Sequence, residues 1–146
     1  MTDAELLRES FALQGRNFDK AGEMAGQIKV ILRNLGIPAT VIRRLVIVAY
    51  EAEMNVAMYA DRGILTLILT DEDIRLEIRD EGPGIADIEL ALQEGYSTAS
   101  DEMREMGFGF GMGLPNMKKN SDEFQIESTV GQGTNVSARI RLKADA

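Results

Sequence analysis

The chain has no cysteine and no histidine. The first absence removes disulfides, thiolate metal sites and cysteine nucleophiles together. The second leaves no imidazole to serve as general base, metal ligand or phosphate acceptor. Tryptophan is also missing, and aromatic residues make up only 5%, too few for the stacking platforms that bind single-stranded nucleic acid. Positive charge is scarce: 16 basic residues against 24 acidic ones leave a net charge of −8, which argues against binding nucleic acid through a basic surface. No run of about 18 apolar residues exists, so no transmembrane helix and no membrane partner are expected. The opening residues Met1, Thr2, Asp3, Ala4 and Glu5 are acidic and lack a secretory-signal layout, which makes the cytoplasm the default location.

What is present fits an ordinary globular protein, with 45% hydrophobic and 27% charged residues. The 146 residues are expected to form one domain over 1–146, long enough to fold without staples. Residues 8–16 read as a short strand ending at Gly15. Met24, Ile28, Ile31, Leu32 and Leu35 recur at helical spacing, so 18–35 reads as an amphipathic helix with Gly36 just past its end. Pro38 opens a second helix over about 39–60, whose apolar stripe is Val41, Leu45, Val48, Ala49, Ala52 and Val56.

Two runs with strand character follow. Ile64 to Thr70 is almost entirely β-branched residues and leucine, as an interior strand requires. In Ile74 to Arg79, apolar and charged residues alternate. Asp71, Glu72 and Asp73 form a polar turn between them, so the pair reads as an antiparallel hairpin. A short helix is expected over 87–94 and a long mobile loop over 95–111, followed by a helix near 112–120. Strands at 123–130 and 134–142 flank a turn at Gly131, Gln132 and Gly133. The expected fold is an α+β two-layer sandwich: a mixed, mostly antiparallel sheet of about five strands with helices on one face.

Four features carry chemistry. Glu51 and Asn55 lie four apart on the long helix and so share a face, where a carboxylate can act as general base and a carboxamide oxygen as a hard ligand for Mg²⁺. Glu53, between them, falls on a more exposed face and reads as plain surface. Asp80 ends a strand and leads into Glu81-Gly82-Pro83-Gly84-Ile85, where a carboxylate beside close-approach glycines can accept from an exocyclic amine. Gly107, Gly109, Gly111 and Gly113 lead into a helix and can cradle phosphates, although neither the P-loop nor the dinucleotide fingerprint is present. Gly131-Gln132-Gly133-Thr134 joins two strands and places a hydroxyl at the turn. Taken singly, these also read as a solvated helix edge, an acidic turn, a flexible loop and a glycine hairpin.

Their order is the stronger signal. A helix with Glu-x-x-x-Asn, then Asp-x-Gly-x-Gly, a glycine-rich loop, and Gly-x-Gly-Thr entering the last strand resembles the Bergerat ATP-binding fold shared by gyrase, Hsp90, histidine kinases and MutL. The resemblance runs from about residue 8 to 143. Within it, the absence of a phosphoacceptor histidine and of room for further domains points to the small stand-alone branch, the bacterial anti-sigma serine kinases and stressosome switch kinases. The stretches 55–60 and 111–128 look most like the switch kinases, which phosphorylate serine or threonine on STAS-domain partners.

The resemblance implies roles by position. Glu51 would be the base acting on the acceptor hydroxyl, and Asn55 would coordinate Mg²⁺ carried by ATP. Asp80 would recognise adenine, helped by Thr134 through a water. Gly82 and Gly84 would let the nucleotide lie against the backbone, with Ile85 beside them, and Gly109, Gly111, Met112, Gly113 and Leu114 would wrap the phosphates. A STAS-domain protein would be the substrate, with a sigma factor or phosphatase as further partners. Departures are also present. Tyr59-Ala60 replaces His-Gly, as in the switch-kinase branch. Gly109 stands where sporulation-type kinases carry an arginine, with Arg104 the nearest candidate. Asn120-Ser121 replaces an apolar pair. Two further functions stay open: an ATP-binding module that holds a sigma factor or regulator without transfer, and a plain ATPase or structural domain.

Overall fold

The computed structural model of the chain describes residues 4–96 and 113–143. The elements are β1 (Glu5–Gln14), a 3₁₀ turn (Phe18–Lys20), α1 (Glu23–Asn34), α2 (Ala39–Tyr59), β2 (Arg62–Thr70) and β3 (Asp73–Glu81). These are followed by α3 (Ile88–Ala91), α4 (Gly113–Lys119), β4 (Glu123–Thr129) and β5 (Gly133–Arg141). The strands form one five-stranded sheet in the order β1-β2-β3-β5-β4, and every neighbouring pair is antiparallel.

Register explains where the core sits. Leu65 pairs with Ile78 and Leu67 with Leu76, while Ile78, Leu76 and Ile74 pair in turn with Val136, Ala138 and Ile140. Residues paired this way share a face of the sheet, so these side chains form one continuous apolar surface. The stripe of α2 covers it: Leu45, Val48 and Ala49 are fully buried, as are Leu65, Leu67, Ile74, Leu76 and Ile140 beneath them. Each large side chain buried here contributes about 1.5–3 kcal/mol of transfer free energy. The other face of β3 carries Arg75, Glu77 and Arg79 and stays open to solvent in part.

The expected helix over 18–35 is divided. Gly22, at φ +97°, turns the chain between the 3₁₀ turn and α1. The end of α1 is as the sequence indicates. The Gly36 N–H donates to the Arg33 carbonyl and the Ile37 N–H to the Leu32 carbonyl, both at 3.1 Å, which is the Schellman arrangement of a helix closed by a left-handed glycine. Pro38 then sets the start of α2, its carbonyl accepting from the Val41 and Ile42 N–H groups at 3.0 Å.

The first strand starts earlier than expected because it pairs along all of β2, from Glu5 opposite Thr70 to Gln14 opposite Arg62. In the β2–β3 turn, Asp73 is a fully buried residue of β3 rather than a solvated turn residue. Thr70 Oγ1 donates to its carboxylate at 2.7 Å, and Arg75 and Arg139 supply the balancing charge. The short helix expected over 87–94 covers only Ile88–Ala91, capped by the Asp87 side chain accepting from the Leu90 N–H.

Candidate functional site

Along β3, strand alternation puts Ile74, Leu76, Ile78 and Asp80 on the helix-facing side. The three apolar residues are buried under the helices, and Asp80 lies half-buried where the strand runs out. Burial pushes its carboxyl above the usual aspartate value, opposed in part by the Thr134 N–H. That N–H donates to Asp80 Oδ1 at 3.1 Å. The turn before β5 comes so close that a Cβ on Gly133 would sit 2.0 Å from the Asp80 carbonyl oxygen, so only glycine fits. Gly84, at φ +76°, also passes close to Thr129, where a Cβ would fall 2.4 Å from the carbonyl oxygen. Gly82 packs against Ala60 at the end of α2. Asp80, Gly82, Gly84, Ile85 and Thr134 are thus brought together.

The residue that ties this corner together escaped the sequence reading. Ser128 is directly opposite Thr134 in the β4–β5 ladder. Its Oγ accepts from the Ile85 N–H at 2.7 Å, donates to the Gly133 carbonyl at 3.0 Å and lies 2.9 Å from Thr134 Oγ1. The alternation of Phe124, Ile126 and Ser128 was the available signal, since it puts a hydroxyl at the end of an apolar face.

A second group lies on α2. Glu51 and Asn55 are half-buried, and both face the first residue of α4: a Cβ on Gly113 would lie 3.2 Å from Glu51 Oε2 and 3.4 Å from Asn55 Oδ1. Burial raises the Glu51 carboxyl above the usual glutamate value, and a hydrogen bond with the Asn116 side chain pulls it partly back. Asn116 is a second residue the sequence reading missed. Leu114 packs against the core from the first turn of α4. Gly109, Gly111, Met112 and Arg104 lie outside the described residues, as does most of the loop expected over 95–111.

Helix α2 links the two groups. Its end at Ala60 adjoins Gly82, and the Asp61 N–H donates to the Glu81 carbonyl at 2.8 Å. Nine residues of helical rise, about 13 Å, separate Ala60 from Glu51. A groove of about 460 Å³ on the opposite face of the sheet, lined by Thr66, Glu77, Arg79 and Asn135 among others, contains none of these site residues.

Glu53 is not a surface residue. Its side chain is buried, and its carboxylate accepts from the Met24 and Ala25 N–H groups, each at 3.2 Å. These are unpaired donors at the start of α1, whose N-cap residue Gly22 has no side chain to offer. The helical wheel of α2 placed Glu53 away from the sheet, and α1 packs on that flank.

Among the described residues no group of three or more carboxylates could cage a metal by itself. The Asn55 carboxamide and nearby Glu51 carboxylate instead suit an ion brought in with phosphates, as Mg²⁺ usually is. At the other end, the acceptor pair Asp80 and Thr134 suits a base that presents an amine. The residues therefore fit a Mg²⁺-nucleotide. Among the described residues, no helix is long and apolar enough to cross a membrane.

This is an ATP-binding fold of a particular kind. Residues 38–144, more than half of the chain, match the family of histidine kinase-, DNA gyrase B- and HSP90-like ATPases, and the chain belongs to that family. It is similar to the serine/threonine-protein kinase RsbT of Bacillus subtilis (strain 168), with 31% identity over 96 residues, covering 66% of this chain and 61% of the relative. The anti-sigma F factor of Caldanaerobacter subterraneus subsp. tengcongensis is 38% identical over 89 residues, covering 58% of this chain and 59% of that protein. That of Thermoanaerobacter sp. (strain X514) is 41% identical over 85 residues, covering 57% and 56%. The chain spans about three-fifths of the length of these relatives.

Proposed function

We propose that the chain is an ATP-dependent protein serine/threonine kinase of the anti-sigma and switch-kinase type, formed by one domain over 1–146 and working in the bacterial cytoplasm. Its substrate would be a serine or threonine of a STAS-domain protein in a partner-switching system, with a sigma factor or phosphatase as further partners. The observation that carries this reading is the convergence of Glu51 and Asn55 on Gly113, on the helix whose far end adjoins the Asp80 corner. Membership of the family and similarity to a kinase and to anti-sigma factors support it.

Phosphoryl transfer asks a protein mainly for positioning and charge stabilisation. Asp80 and Thr134 hold the base, and Gly82 and Gly84 let it lie along the backbone. Asn55 offers a ligand oxygen for Mg²⁺, which neutralises phosphate charge when bound. Glu51 takes the proton from the acceptor hydroxyl. Burial raises its carboxyl above the usual glutamate value, which makes the ionised form a stronger base.

One sequence observation favours the second reading, a non-catalytic ATP-dependent binding module: Gly109 stands where related kinases have an arginine. Incubation with γ-labelled ATP and candidate STAS-domain proteins separates the two. Label on a partner serine or threonine supports the kinase. Nucleotide-dependent complex formation without label supports the binding module.

A further inference from the structure

Ser128 has one hydroxyl proton and three neighbours, so a single pattern of donors and acceptors satisfies all three. The Ile85 N–H can only donate, and the Gly133 carbonyl can only accept. All three bonds form together only when the single Ser128 proton goes to the Gly133 carbonyl. In that arrangement the remaining bond, 2.9 Å to Thr134 Oγ1, carries the Thr134 proton toward Ser128. Thr134 is left with oxygen lone pairs and no proton to offer a ligand. Beside it, Asp80 accepts from the Thr134 N–H through Oδ1, and its ionised carboxylate also has only lone pairs to present. This corner of the site is thus built entirely of acceptors.

We infer that Ser128 is a specificity-determining positioning residue, which locks Thr134 as an acceptor so that the site selects a 6-amino purine over a 6-keto purine. The inference rests on the nucleotide-binding reading proposed above and adds to it a residue that needs no contact with the nucleotide. A 6-amino group brings two N–H donors to the Asp80–Thr134 corner. A 6-keto group brings a lone pair against acceptors, and a site whose polar groups lose their partners rejects the analogue strongly. With Ser128 removed, the Thr134 hydroxyl is free to turn and donate to a 6-keto oxygen.

The test is the ratio of ATP to inosine triphosphate affinity, measured by calorimetry with Mg²⁺ on wild type, Ser128→Ala and Ser128→Thr. The two nucleotides differ at position 6 and in the N1 proton that accompanies it. The alanine variant is expected to lower the ratio about tenfold, and the threonine variant, which keeps the hydroxyl, to restore it. A merely structural role would weaken both nucleotides alike and leave the ratio unchanged, and that result overturns the inference. If Ser128→Ala does not fold, Ser128→Cys decides, because a thiol accepts the Thr134 proton only weakly: a lowered ratio supports the inference, and an unchanged one overturns it. Wild type that binds neither nucleotide would instead remove the nucleotide-binding reading itself.

Discussion

The Glu53 carboxylate closes the first turn of α1 by accepting the Ala25 N–H, with the Met24 N–H as its second donor. One helix is thus capped by a side chain from another, 28 residues further along the chain. Removing the carboxylate in Glu53→Ala leaves buried donors without partners, at a cost of about 1.5–3 kcal/mol. For a domain of this size, thermal unfolding should begin roughly 5–10 °C lower. Glu53→Gln keeps one acceptor oxygen and should recover part of the loss. Both variants should still bind ATP, because positions 51 and 53 are about 200° apart around the helix. A melting temperature unchanged in Glu53→Ala would show that these bonds contribute nothing.

That contact also marks where sequence reasoning ends. The α2 stripe, the β2–β3 hairpin and the helix stop at Gly36 are written in local patterns, and the structure has all three. Asp80 could be placed because strand alternation carries it to the end of an apolar row. Glu53 was misplaced because a helical wheel ranks faces by one neighbouring layer, and α1 is a second layer that packs from the side. The Ser128 and Thr134 pairing depends on the register of two strands, which no local pattern states. The break at Gly22 depends on a backbone angle that glycine permits without requiring.

Asp80 and Glu51 both lie in places that hold protons more tightly than the unfolded chain does, chiefly because burial penalises their charge. Each therefore costs stability as pH rises from its unfolded value, 3.8 for Asp80 and 4.5 for Glu51, through the raised folded value. Asp80→Asn and Glu51→Gln should be at least as stable as wild type at pH 7, with the advantage disappearing below about pH 4. Urea unfolding at the two pH values measures this. Asp80→Asn should nevertheless bind ATP more weakly, since an amide presents a donor where the proposed adenine amine needs an acceptor. A variant that loses both stability and binding at pH 7 would point to a structural role for Asp80.

Glu51→Ala and Asn55→Ala should fail differently. The proposed work of Glu51 is on the acceptor hydroxyl, so its loss should reduce transfer about 10²–10⁴-fold while ATP affinity holds. Asn55 is proposed to hold the metal, so its loss should weaken ATP binding with Mg²⁺ as well as turnover. One helical turn separates the two residues, and a distorted helix would affect both alike. Calorimetry and single-turnover transfer on each variant make the comparison, and equal loss of ATP binding in both would remove the assigned roles.

The hydrogen bond between Asn116 and Glu51 yields the sharpest test of which group takes the proton. Burial raises the Glu51 carboxyl, and Asn116 opposes that rise by bonding to the ionised form. Asn116→Ala removes the opposition, so the carboxyl should titrate higher still. The acid limb of the transfer rate against pH should then move to higher pH, lowering the rate near neutrality but sparing it where Glu51 is fully ionised. Asn116→Asp should move the limb further, because a second carboxylate beside Glu51 disfavours its charge. ATP affinity at pH 8 should be similar in all three proteins, which distinguishes a change of proton affinity from a damaged site. The expected order of the limbs is wild type, then alanine, then aspartate. If all three share one limb, the group that titrates during transfer is not Glu51, and the proton leaves the acceptor hydroxyl by another route.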